Sequence, residues 1–191
     1  PGADDLFGAC LSTGGRIVLG AAEQSGLYVL TSAGKVAAAQ VPGAAGSCAW
    51  LDEERLVLDR AETHRLAIWR PDDKAKPADL GASAYLPAVG DALVAGTFPD
   101  AASGFSAARL WRLAGDRLHA LVPLALPSVE AGAAADRVLL SSDGSWLVLA
   151  GSGPDTDEAW LAFFRIVGDD VQPAGRLELP EPMSALAVLD P

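Results

Sequence analysis

The chain has 191 residues, half of them apolar and 20% charged, with 14 Lys and Arg against 25 Asp and Glu and a formal net charge of −11. That apolar fraction excludes disorder, and the length suits one domain or a large piece of one. A surface so negative repels phosphate backbones and anionic lipid, so nucleic acid and membrane surfaces are poor partners, while cations and basic proteins are not.

In chain order, short apolar segments alternate with polar turns. An inner strand over Leu6 to Ser12 leads through Thr13-Gly14-Gly15-Arg16 into Ile17-Val18-Leu19, then Leu27-Tyr28-Val29-Leu30, then Ala33-Gly34-Lys35 and a strand over Val36 to Val41. Asp52-Glu53-Glu54-Arg55 opens the next unit ahead of Leu56-Val57-Leu58, followed by Leu66-Ala67-Ile68-Trp69-Arg70, a polar stretch from Pro71 to Pro77, and Ala78-Asp79-Leu80. The third copy runs from Gly90-Asp91 before Ala92-Leu93-Val94 to Leu110-Trp111-Arg112, Ala114-Gly115-Asp116 and a strand from Arg117 to Leu126. The fourth runs from Ser142-Asp143-Gly144-Ser145 before Trp146-Leu147-Val148-Leu149 to Ala162-Phe163-Phe164-Arg165, Gly168-Asp169-Asp170 and a strand from Val171 to Leu179. Each apolar triplet behind a turn reads as a hairpin feeding a buried strand.

The two markers keep step. Ile17 to Leu56 and Val29 to Ile68 are both 39 residues apart, and later intervals lengthen as surface insertions would lengthen them. A unit of roughly 40 residues with four strands is the period of a β-propeller blade. The expected fold is therefore all-β, about four four-stranded antiparallel blades over residues 5–42, 47–81, 84–126 and 136–180 of one 1–191 propeller. Helical periodicity is not sustained anywhere. Residues 183–190 (from Met183 to Asp190) read as the inner strand of a further or closing blade. That surplus strand favours an incomplete ring, or part of a larger propeller, over a closed four-bladed one, because open edges would leave backbone groups unpaired.

The Asp-Gly turn at Asp143-Gly144 and the Leu66-Ala67-Ile68-Trp69 strand resemble WD40-like β-propellers. The Trp-Asp ending of that family is replaced here by Trp-Arg or Phe-Arg, so its hydrogen-bonded tetrad is not carried over. Over the first two blades, Gly2-Ala3-Asp4-Asp5, Ile17-Val18-Leu19-Gly20, Ser25-Gly26-Leu27-Tyr28-Val29-Leu30 and Ala33-Gly34-Lys35 resemble the opening of β-propeller phytases. That resemblance implies calcium-dependent hydrolysis of phosphate monoesters, with Asp4 and Asp5 the positions carried over as metal ligands. The family's asparagine pair is missing, since Gly46-Ser47-Cys48-Ala49 stands in that region and the chain has no asparagine. A degenerate accessory domain of such an enzyme is the corresponding expectation.

From the residues themselves, the best metal candidate is Asp155, Asp157 and Glu158, three carboxylates in a Gly-Pro-rich loop that could hold calcium. The same loop also reads as a solvated hairpin tip. Asp52-Glu53-Glu54 and Asp72-Asp73 read as turn charges. His64 and His119 occupy different blade positions and meet no evident nucleophile. Trp69 and Trp111 read as core. Trp160, beside the acidic loop, is a candidate partner-binding aromatic together with Phe98 and Phe105, with packing under its own hairpin as the alternative. Cys10 and Cys48 read as small buried residues, or as a disulfide if their strands are neighbours.

No catalytic or organic-cofactor site emerges, and calcium is the one cofactor suggested. The expected role is a soluble binding or scaffold propeller, its contacts made through the loops Thr97 to Ser106 and Gly151 to Ala159, with a protein or further propeller blades as partner. The alternative is the phytase-like hydrolase. Without a basic, apolar leader at Pro1, the compartment stays open between cytoplasmic and, after removal of a leader, periplasmic or secreted.

Overall fold

The computed structural model describes residues 6–21, 26–30, 36–40, 45–60, 63–72, 76–99, 106–121, 134–152 and 159–180. Among these there is no helix, and sixteen strands build four antiparallel sheets of four. The first sheet holds β1 (Leu6–Leu11), β2 (Ile17–Ala21), β3 (Gly26–Leu30) and β4 (Val36–Gln40). The second holds β5 (Ala45–Trp50), β6 (Leu56–Arg60), β7 (Arg65–Trp69) and β8 (Ala78–Ser83). The third holds β9 (Tyr85–Gly90), β10 (Leu93–Pro99), β11 (Ser106–Ala114) and β12 (Arg117–Ala120). The fourth holds β13 (Ala134–Leu140), β14 (Trp146–Ser152), β15 (Ala159–Val167) and β16 (Asp170–Leu179). In every sheet the strands follow one another as a meander. The terminal segment 183–190 lies outside the described residues.

The repeated markers fall opposite one another in the ladders. Leu56 pairs with Trp69, Val94 with Trp111 and Leu147 with Phe164, so each aromatic of the repeat lies across from an apolar residue of the second strand. Such cross-strand aromatic–aliphatic pairs hold register, because a slip of one residue would turn the whole apolar set to the other face.

The chain divides into two compact units, Pro1–Pro87 with Gly115–Arg117, and Ala88–Ala114 with Leu118–Pro191. In the first unit Val18 of β2 packs with Leu56, Leu58, Ala67 and Trp69, and half-buried Cys48 and Trp50 border the cluster. In the second, Leu93, Ala95, Ala108 and Leu110 of β10 and β11 pack against one face of the fourth sheet. That face presents Leu147, Leu149, Trp160, Ala162 and Phe164. Both cores are therefore sandwiches of neighbouring repeats, apolar face against apolar face.

The hairpins that join first to second strands also touch. In the second unit the end of β9 lies so close to the β13–β14 turn that a Cβ on Gly90 would overlap the Ser141 carbonyl oxygen. Backbone cannot withdraw as a flexible side chain can, so Gly90→Ala is expected to destabilise the protein by about 2 kcal/mol or more. For a chain of this size that lowers the melting midpoint by roughly 4–8 °C. Gly175, whose added Cβ would meet nothing within 4 Å, is the control, and its alanine variant should melt with the wild type. Thermal melts of the two variants check the contact.

Candidate functional site

The inner hairpin turns are where the described residues concentrate polar side chains. In the first unit, Glu53 of the β5–β6 turn accepts from Ser12 Oγ at 2.9 Å, Thr13 Oγ1 at 2.5 Å and the Gly14 amide at 2.6 Å, all in the β1–β2 turn. These donors, Thr13 foremost and then Ser12 and Gly14, hold the carboxyl below its ordinary range. Bonds to an ionised acceptor are the stronger kind and stabilise the charged form. Ser12 Oγ in turn accepts from the Arg16 amide at 3.0 Å, which closes its own turn.

Arg16 extends the same joint. Its Nη1 donates to the Glu53 carbonyl at 2.6 Å, its Nη2 donates to Asp72 Oδ1 at 3.0 Å, and its guanidinium lies over the Trp50 ring, 5.2 Å from the centroid. Trp50 Nε1 donates to the Cys10 carbonyl at 3.1 Å. Beneath these contacts Cys10 and Cys48 form a disulfide with Cα atoms 5.9 Å apart. The reading of the pair as separate buried apolar residues is thereby corrected. The repeat makes β1 and β5 neighbours, and that spacing lies within the roughly 4.4–6.8 Å a bridge requires.

In the second unit the β13–β14 turn is organised by Asp143, which accepts from Ser141 Oγ at 2.6 Å and from the Ser145 amide at 2.9 Å. Ser141 hydrogen bonding first, then that of Ser145, lowers the Asp143 carboxyl to about 2 from the usual 3.8. Gly144 takes a φ of 67°, and a Cβ there would meet Asp91 Cβ at 3.0 Å. The turn needs glycine for both reasons.

The carboxylates at these turns hold the fold's own donors. Asp52 bonds Arg55 Nε at 2.7 Å and the amides of Glu54 and Arg55, and on β8 Asp79 bonds Arg65 twice. Among the described residues no group of three or more His, Cys, Asp or Glu is placed to hold a metal. Of the sequence candidates, Asp4, Asp5, Asp155, Asp157, Glu158 and Phe105 lie outside the described residues, and Phe98 is placed only by its strand, β10. Trp160 is 2% exposed and packs in the second unit's core with Ala162 and Phe164. His64, at a φ of 51°, stacks on Tyr85 with ring centroids 3.9 Å apart, and His119 is exposed on β12. Trp69 and Trp111 are buried, as their place in the repeat requires.

Sequence reasoning treated Glu53 as a turn charge and missed that it locks a neighbouring turn. The available signal was a hydroxyl-rich turn, Ser12-Thr13-Gly14, one repeat upstream of an acidic one.

No protein-family model matches the chain, and no curated protein matches its sequence. Solved structures do. Hydrazine synthase of Kuenenia stuttgartiensis is similar with a TM-score of 0.66 and 13% identity, over 92% of this chain and 49% of that one. Virginiamycin B lyase from Staphylococcus aureus is similar with a TM-score of 0.53 and 11% identity, over 94% of this chain and 71% of that one. A streptogramin B lyase gives 0.57 and 12%, over 94% and 70%. The chain thus spans about half the hydrazine synthase chain. At these identities the likeness shows the fold, which is that of β-propeller proteins, and each four-stranded sheet is one blade.

Reduction of Cys10–Cys48, or the Cys10→Ser/Cys48→Ser pair, should cost about 2–4 kcal/mol, since the bridge closes a loop of 38 residues. Denaturant melts with and without reductant measure this, and alkylation of the unreduced protein should add no mass. The depressed Asp143 carboxyl contributes stability that is present above the ordinary aspartate value and is lost as pH falls from about 4 toward about 2. Asp143→Asn should therefore lower the melting temperature at neutral pH and flatten its fall over that acid window.

Proposed function

We propose that the chain is a non-enzymatic β-propeller module that binds or scaffolds a protein partner. The observation that supports this best is the commitment of its turn carboxylates. Glu53, Asp52 and Asp143 accept from hydroxyls, amides or guanidinium groups that hold turns in shape, whereas general acid–base chemistry or metal ligation needs such groups turned toward a substrate. The loops Thr97 to Ser106 and Gly151 to Ala159 are the proposed contact regions. The net charge of −11 suits a basic partner, whose association would weaken with added salt.

Asp155, Asp157 and Glu158, with Asp4 and Asp5, are the carboxylates through which a calcium-dependent phosphatase reading would have to operate. Calcium titration followed by thermal melting separates the two. The binding module should melt at one temperature with millimolar calcium or with chelator, and should release no phosphate from phytate. A calcium concentration a hundredfold above the dissociation constant would add about 2.7 kcal/mol, a rise of roughly 5–10 °C in this size range. Such a rise, removed by chelation and by Asp155→Asn/Asp157→Asn, together with phosphate release, would replace the module with the enzyme.

A further inference from the structure

The two cysteines of residues 1–191, Cys10 and Cys48, are both consumed in one bridge between the first two sheets. Cys10 lies in β1 opposite Val18 of β2, and Cys48 lies in β5 opposite Leu58 of β6. Val18 and Leu58 are fully buried members of the core that these sheets share, and Cys48 borders it. The bridge therefore joins first strand to first strand at the margin of an apolar core, within the first unit.

Its surroundings are those of a structural bridge and not of a reactive dithiol. Reactive cysteines are accessible and sit beside cations or at helix N-termini. Cys10 is 7% exposed and Cys48 is half-buried. No described residue is helical. The nearby cation is engaged elsewhere, since the Arg16 guanidinium lies over the Trp50 ring and donates to the Glu53 carbonyl and to Asp72. Trp50 in turn donates to the Cys10 carbonyl at 3.1 Å. Thiol–disulfide exchange requires a thiolate to reach a sulfur, and this packing leaves little of Cys10 to reach. Exchange has its best access before the two sheets close on one another.

We propose that this protein folds in an oxidising compartment outside the cytosol, where disulfide transfer installs the Cys10–Cys48 bridge. One cysteine, as thiolate, attacks a sulfur of the oxidant's disulfide and expels the other sulfur as a thiolate. The second cysteine, as thiolate, attacks its partner's sulfur in the mixed disulfide and releases the oxidant's remaining thiolate. Two electrons pass to the oxidant, a protein or small-molecule disulfide that ends as a dithiol, and the two protons lost by the cysteines are taken up by it. The thiol pools of the cytosol drive that exchange backwards, so persistent structural bridges belong to oxidising compartments.

Two buried thiols would say nothing about compartment, whereas a bridge does. With 38 residues between the cysteines, only the juxtaposition of β1 and β5, which brings their Cα atoms to 5.9 Å, turns the one into the other. Neither a basic partner nor calcium enters into this assignment, and any partner of the module is met in that same compartment.

The test is thiol trapping in the cells that make the full natural polypeptide. Cells are quenched in acid to stop exchange, free thiols are blocked with light iodoacetamide, and bridged ones are then reduced and labelled with heavy iodoacetamide. Mass spectrometry reads the peptides carrying Cys10 and Cys48 in the cytosolic and extracytoplasmic fractions, and a parallel digest without reductant shows which cysteines are joined. The expected result is heavy label on nearly all of both cysteines, a cross-linked Cys10–Cys48 peptide, and recovery of the protein in the extracytoplasmic fraction. Light label on the two cysteines in quenched cells, a bridge from either one to a different cysteine, or recovery of the protein with cytosolic markers overturns the proposal. The calcium and phytate assays above are untouched by any of these outcomes.

Discussion

A four-stranded sheet whose two faces are both apolar cannot leave either face in water, and this constraint organises the molecule. Val57 and Ile68 on one face of the second sheet, and Leu56, Leu58 and Trp69 on the other, are all nearly inaccessible. The fourth sheet is built alike, with Leu147, Leu149 and Phe164 on one face and Val148, Ala150 and Leu161 on the other. A fully buried side chain of this kind contributes about 1.5–3 kcal/mol. Hydrophobic burial between repeats therefore outweighs every polar contact described, and a lone repeat would have little reason to stay folded.

The polar contacts serve a different purpose. Two greasy faces can slide over one another at small cost, whereas the turn contacts admit one arrangement. Glu53 has three donors in the neighbouring turn, Gly90 leaves space for a carbonyl that no larger residue would leave, and Cys10–Cys48 ties first strand to first strand. These contacts cluster at the inner hairpins, so packing provides the adhesion and the turns set the relative position of successive sheets within each unit. The pairs Arg16–Asp72, Arg70–Asp116 and Arg112–Asp169 act likewise at the outer hairpins, where solvent screening keeps them weak but leaves them directional.

The repeat was legible in the sequence because it is written in spacing, and spacing is what strand alternation and turn chemistry fix locally. Trp69, Trp111 and Phe164 could be aligned without coordinates, and they occupy equivalent ladder positions. What escaped were the features that depend on two repeats meeting. The Cys10–Cys48 bridge needs the Cβ atoms of β1 and β5 side by side, and Glu53 looks like any acidic turn until the hydroxyls of Ser12 and Thr13 lie beside it. Trp160 had two readings in the sequence, a partner-binding aromatic and a packed one. Its proximity to an acidic loop suggested exposure, but β15 alternates, and its position puts the ring on the core face with Ala162 and Phe164. The acidic loop and Asp4-Asp5 lie outside the described residues, so the metal reading is carried by residue type alone.

The same economy of cations bears on what such a module recognises. Among the described residues, at least six of the eleven arginines lie in ion pairs that organise turns or strands. The acidic excess therefore falls on the solvent-facing parts. Propeller neighbours that share only 11–13% identity keep the fold, because packing tolerates exchange among apolar residues. Under the proposed binding role, specificity lies in the features that do not repeat. These are the long insertions after β10 and β14.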